Sequence, residues 1–252
     1  MKYLCLIIVF AISVCSLYAT NDSIIDTDTL NLSKVGQGAK IERLIIPATL
    51  ITYGVLAQVA KPLLQLDANT DKEVSKHFKR RSFDNYVQYA PVTAVYGLDL
   101  AGIKAKHNFR DRTFVVLTSH LIMGGSVHAI KIATCVERPD GSNHHSFPSG
   151  HTATAFTGAH ILFNEYRDIS PWIGIAGYAT ATTVGAMRIL NRKHWVSDVV
   201  AGAGVGILSA EIGYMLLPVF HRIIGVEKTG SSLVIAPVIG NSQYGLGLVY
   251  AF

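Results

Sequence analysis

Long apolar stretches separated by short polar connections run through most of the chain. They fall at roughly 42–60, 87–103, 113–135, 151–165, 171–190 and 196–219. Each is long enough for a helix, and several approach the roughly 20 residues that cross a bilayer. Small residues recur inside them, as in Ala201-Gly202-Ala203-Gly204-Val205-Gly206. Such residues let helix backbones pack closely, in membranes especially. The end of the chain has a different period. Leu233 to Ile239 and Tyr244 to Phe252 are β-type runs around a Gly240-Asn241-Ser242 turn. In the second run Tyr244, Leu246, Leu248, Tyr250 and Phe252 alternate with smaller residues, a period of two. The expectation for 221–252 is a hairpin-like β tail.

The first residues follow another plan. Lys2 precedes an apolar run from Tyr3 to Val14, and small residues lead to Ala19. This is the layout of a secretory signal, so 1–19 is expected to be one, with cleavage after Ala19. Cys15 suggests a lipoprotein alternative, which Val14 before it disfavours. Residues 20–40 are polar and mixed and read as a linker, with one domain over 41–220.

Composition narrows the class. The chain has 252 residues, 50% of them apolar and only 15% charged. An ordinary soluble domain carries roughly 25% charge. The formal charge of +5 suits phosphates or anionic headgroups, but no long Lys/Arg run points to nucleic acid. Of three cysteines, Cys5 and Cys15 lie in the leader. Cys135 alone cannot form an internal disulfide, so the fold must hold without one. Cys135 itself reads as a small buried apolar residue. His120 and His128, inside an apolar segment, read as buried, hydrogen-bonded imidazoles. The basic stretch Lys72 to Arg81 reads as a solvated amphipathic loop or helix, with an anionic-headgroup contact as the sharper alternative.

Three blocks carry candidate chemistry. In the first, Lys131 and Arg138 are seven apart, about two helical turns, so both cations fall on one helix face. Pro139 should end that helix near Arg138. Taken alone, a snorkelling lysine and a helix-end arginine explain this block as well as a bound anion does. The second is Ser146-Phe147-Pro148-Ser149-Gly150-His151-Thr152. Pro148 and Ser149 suit a helix start, Gly150 permits close approach, and free amides at a helix N-terminus attract anions. The third is Arg188-Ile-Leu-Asn-Arg-Lys-His194-Trp-Val-Ser-Asp198. His194 and Asp198 are i and i+4, which puts them on one face of a helix. A carboxylate there can hold one imidazole nitrogen and leave the other as a nucleophile, although surface His–Asp pairs are as common.

Lys-x6-Arg-Pro, Pro-Ser-Gly-His and Arg-x5-His-x3-Asp in this order resemble the type 2 phosphatidic acid phosphatase (PAP2) superfamily. That superfamily includes bacterial class A acid phosphatases and vanadium haloperoxidases. One departure stands at Met187, where the family usually has serine. The resemblance, with the segment count, implies an all-α fold, a membrane-embedded bundle of about six helices, to which the residue pattern adds the short β-type tail. It implies His194 as nucleophile, Asp198 as its orienting partner and His151 as the acid that protonates the leaving group. It implies that Lys131, Arg138, Ser149, Gly150 and Arg188 bind the phosphoryl oxygens. No metal or other cofactor is needed on this scheme, and no obligate protein partner is inferred.

The implied reaction is hydrolysis of a terminal phosphate from a lipid phosphate or diphosphate through a phosphohistidine. Undecaprenyl diphosphate, phosphatidic acid, phosphatidylglycerol phosphate and lipid A phosphate are the candidate substrates. A soluble periplasmic acid phosphatase of broad specificity, a vanadium-dependent haloperoxidase and a non-catalytic phosphate binder are the rivals. The expected location is the bacterial inner membrane with the site facing the periplasm, or else the periplasm itself. Alternation of the helices from 113 to 219 would bring the three blocks to one side.

Overall fold

The computed structural model describes residues 42–78 and 81–224, together with strands at 232–240 and 243–251. The expected signal at 1–19 and linker at 20–40 lie outside the described residues. Eight helices appear in the described residues: α1 (Glu42–Ala57), α2 (Lys61–His77), α3 (Asp84–Val87), α4 (Ala90–Leu100), α5 (Phe109–Thr134), α6 (Gly150–Tyr166), α7 (Pro171–Leu190) and α8 (Val196–Ile223). Strands β1 (Ser232–Gly240) and β2 (Gln243–Ala251) pair antiparallel. The fold is therefore all-α with a β tail, as expected. The six apolar stretches became α1 and α4 to α8. The added helices, α2 and α3, lie where the sequence is more polar.

Local signals place the helix starts. Asn108 caps α5, its side chain accepting the Asp111 N–H at 2.9 Å. Proline opens α7 at Pro171 and lies in the first turns of α2 and α4. One boundary corrects the sequence reading. α5 ends at Thr134 rather than near Arg138, because Cys135 turns into the left-handed region at φ 48°. Lys131 thus lies on the helix and Arg138 in the following loop. Cys135 is exposed, not buried, since it stands at this turn. His120 is half-buried and bonded through Nδ1 to the Val116 carbonyl, but His128 lies on an exposed face of α5.

α6 is the central helix, packed by α4, α5, α7 and α8. Small residues let α8 lie against it. A Cβ on Gly202 would come within 2.6 Å of the Ser149 carbonyl oxygen, and one on Gly206 would strike that of Ala153. Thr157 Oγ1 donates across this contact to the Gly206 carbonyl at 3.1 Å. Val95, Val115, Ile161, Leu162, Tyr166, Ala210 and Leu217 form one buried cluster.

α5 and α8 are long and apolar enough to cross a membrane, and α1 with α2 forms a third such unit bent by 85°. α5 leaves Leu117, Leu121 and Ile132 exposed, with Leu121 at 74%, an apolar face of the kind lipid covers. α5 and α7 end where α6 and α8 begin. The three sequence blocks therefore meet at one pole of the bundle.

Candidate active site

His194 sits in the turn between α7 and α8 and is 2% exposed. Ion pairs hold that turn. Arg192, in the left-handed region at φ 56°, is gripped by Asp71 of α2 at 2.6 and 2.7 Å. Lys193 Nζ donates to Asp140 Oδ2 at 2.7 Å. The Asp67 carboxylate accepts both the backbone N–H and the hydroxyl of Ser197, docking α2 on the start of α8.

Asp198 reaches His194 differently from the expectation of a shared helix face. α8 begins at Val196, so His194 precedes it and Asp198 occupies its first turn. Asp198 Oδ2 accepts the Trp195 N–H at 2.9 Å and the Ser146 hydroxyl at 2.5 Å, and lies 3.5 Å from His194 Nδ1. Ser146 Oγ is also 3.5 Å from His194 Nδ1. Asp198 Oδ1 is buried without a hydrogen-bond partner. The carboxylate thus faces Nδ1, the arrangement that leaves Nε2 for attack.

The cations converge on the same imidazole. Burial, followed by the charges of Lys131, Arg188 and Arg138, holds His194 well below the usual histidine range. A neutral imidazole is the form with a lone pair. Lys131 Nζ donates to the carbonyls of His145 and Ser146 at 2.6 and 3.1 Å, tying the end of α5 to the loop before α6. The Nε atoms of Arg138 and Arg188 are buried without partners, donors left over for an anion.

Ser149 occupies the position before the first turn of α6 and is fully buried, its hydroxyl 2.9 Å from Thr152 Oγ1 rather than on a backbone amide. The first intrahelical bond runs from Ala153 N to the Ser149 carbonyl. The amides of Gly150, His151 and Thr152 thus precede the helical ladder, as the anion-site reading requires. His151 is half-buried, and burial together with the Arg188 charge lowers it to about 4. Its Nε2 meets Asn85 Oδ1 at 2.9 Å.

Asn85 belongs to a wall that the motifs did not announce. α3 lies across the site with Asp84 1% exposed. Arg188 Nη1 donates to Asp84 Oδ2 at 2.7 Å, and Asn191 Nδ2 donates to Asp84 Oδ1 at 3.3 Å. Ser146 was legible as part of the second block, although its grip on Asp198 was not. No group of three or more His, Cys, Asp or Glu suited to a metal occurs among the described residues.

Residues 112–222 match the family model described as the PAP2 superfamily. Over 140 residues the chain is 41% identical to a lipid A 1-phosphatase of Porphyromonas gingivalis, a match covering 55% of this chain and 32% of that protein. The chain thus spans about a third of the length of that curated relative. Two solved structures are similar. One is Aquifex aeolicus LpxE, at 20% identity and a TM-score of 0.46, covering 59% of this chain and 94% of that one. The other is a transmembrane PAP2-type phosphatidylglycerolphosphate phosphatase from Bacillus subtilis, at 19% identity and a TM-score of 0.43, covering 73% and 99%.

Proposed function

We propose that this chain, whose residues 112–222 match the PAP2 superfamily, hydrolyses a terminal phosphate from a membrane lipid through a phosphohistidine on His194. The observation that carries the reading is one buried, neutral imidazole with a carboxylate at Nδ1 and three cations around it. Phosphoryl transfer asks little covalent chemistry of a protein. It needs the nucleophile in line and charge on the three equatorial oxygens.

Lys131, Arg138 and Arg188 supply that charge, and the amides at the start of α6, with Ser149 and Gly150, supply further donors. His194 Nε2 attacks phosphorus, forming the P–N bond as the bond to the lipid oxygen breaks. His151 gives its proton to that oxygen. Water then attacks the phosphohistidine, loses a proton to His151, and the P–N bond breaks to release phosphate. Asp198 stabilises the positive charge on His194 between these steps. A bound phosphate raises the proton affinity of His151 by offsetting Arg188, which readies it as an acid in the complex.

The likeness to a lipid A 1-phosphatase makes a lipid A-type phosphate the first substrate to test. A site at one pole of two apolar spans suits a phosphate at the membrane surface. The orientation proposed is periplasmic, where exported lipid phosphates present that group. Phosphate release by the detergent-purified protein, with a chelator present, tests the reading. The panel is lipid A phosphate, phosphatidic acid, undecaprenyl diphosphate, phosphatidylglycerol phosphate and a soluble aryl phosphate. Chelator-resistant release with lipid preferred supports the proposal; no release from any substrate overturns it.

A further inference from the structure

A second polar site lies at the other pole of the bundle. His151 and Arg167 bracket α6, and 16 residues at 1.5 Å each separate them by about 24 Å. Between the end of α6, the end of α8, the residues before α5 and the start of α1 is a cleft of about 350 Å³. It is lined by Arg43, Lys106, His107, Asn164, Arg167 and His221, with Leu217 and Pro218 as its apolar wall. No Asp or Glu lines it among the described residues.

The lining is rich in donors that the protein does not fully use. Arg43 comes only within 3.8 Å of Glu211, and Arg167 only within 3.9 Å of Asp168, both beyond hydrogen-bond range. Lys106 reaches Asp168 at 3.3 Å with both side chains largely exposed. Asn164 is 9% exposed, and its Nδ2, turned toward Glu211, makes no well-formed hydrogen bond. The nearby carboxylates stand behind the histidines. Glu165 takes His107 Nδ1 at 2.8 Å, and Asp111 lies 3.0 Å from His221 Nε2. These pairs hold both rings at the cleft.

The same pole carries the marks of a membrane surface. Trp172, at the start of α7, is 73% exposed, and Ile169 beside it 55%. Tryptophan collects at the depth of lipid headgroups, and basic pockets between spanning helices take anionic headgroups. We propose that this cleft binds the phosphate of an anionic lipid headgroup, in the leaflet opposite the active site. The chemistry required is a phosphate anion on the two guanidiniums and Lys106, with the attached glycerol against Leu217 and Pro218.

The full chain in nanodiscs of phosphatidylglycerol or phosphatidylcholine tests this, with thermal unfolding as the readout. Titration with inorganic phosphate in a phosphatidylcholine disc forms a third arm. Phosphatidylglycerol should raise the midpoint over phosphatidylcholine, and R43Q/K106Q/R167Q should abolish the difference. The triple variant should still release phosphate from an aryl phosphate, which shows that it is folded. Should it fail to fold, K106Q alone should weaken phosphatidylglycerol binding severalfold. A midpoint raised equally by inorganic phosphate, and lost in the variant, supports the phosphate site with the free ion as its source. Equal midpoints in the two lipids, or a phosphatidylglycerol effect that survives the substitutions, overturn the proposal. H194A should bind as the unsubstituted chain does, so a failure here leaves the hydrolytic reading untouched.

Discussion

Arg188 and Asp84 form a buried ion pair, Nη1 to Oδ2 at 2.7 Å, across 104 residues of chain. The pair fixes one of the three cations proposed to bind the phosphate to the short helix α3. It leaves Arg188 Nε without a protein partner. Removing one member of a buried pair strands the other charge, at a cost of about 3–5 kcal/mol. Asp84→Ala should therefore lower the thermal midpoint in detergent and raise KM for the phosphate substrate. An unchanged midpoint and KM would show that Arg188 is held by other contacts.

Asn85 positions His151 through the 2.9 Å contact at Nε2. Loss of that contact frees the ring but removes no phosphate ligand. Asn85→Ala should lower kcat on the order of tenfold, a fraction of what a general acid contributes, with KM nearly constant. Steady-state kinetics on an aryl phosphate separates the two parameters. A rise in KM at constant kcat would make Asn85 a binding residue instead.

These two residues also mark the limit of what the sequence discloses. The order of the three motifs, through its resemblance to the PAP2 superfamily, grouped Lys131, Arg138, His151, Arg188, His194 and Asp198, whereas each block's spacing taken alone had an ordinary structural explanation. Spacing misjudged how the groups were held. Cys135 ends α5 early, so Arg138 reaches the site from a loop, and α8 starts after His194. Asp84 and Asn85 left no signal. They lie in a short polar stretch between apolar segments, and their partners are 104 and 66 residues away. The apolar helices were legible because their runs are long. α2 and α3 are held by contacts such as Asp67 with Ser197, which no local pattern encodes.

Binding of a dianion should depend on pH in a defined direction. In the free site His151 is depressed to about 4, by burial and then by the Arg188 charge. A bound dianion offsets the cations and raises the proton affinity of both His151 and His194. Binding then takes up protons, so affinity rises as pH falls. Sulfate remains a dianion between about pH 5 and 8, so its inhibition reports the protons taken up by the site rather than its own titration. Sulfate should inhibit more tightly at the lower pH, by up to about tenfold per unit for each proton taken up. A flat profile would mean that the site takes up no proton with the anion.

The packing of α8 on α6 places the third block over the second. Gly206 faces the Ala153 carbonyl too closely for any side chain. Gly206→Val should force the helices apart, at about 1–3 kcal/mol for an overpacked contact. The expected result is a lower thermal midpoint, with activity reduced in the fraction that remains folded. An unchanged midpoint would contradict the close helix contact.

The most direct test of the central claim is chemical trapping of the enzyme during turnover. A substrate labelled in its terminal phosphate is mixed with the protein and quenched in alkali, where a phosphohistidine survives. Peptide mapping should then locate the label on His194, and acid should release it as phosphate. His194→Ala should carry no label and release no phosphate. Hydrolysis that continues in His194→Ala, or a label that maps to another residue, would contradict the mechanism.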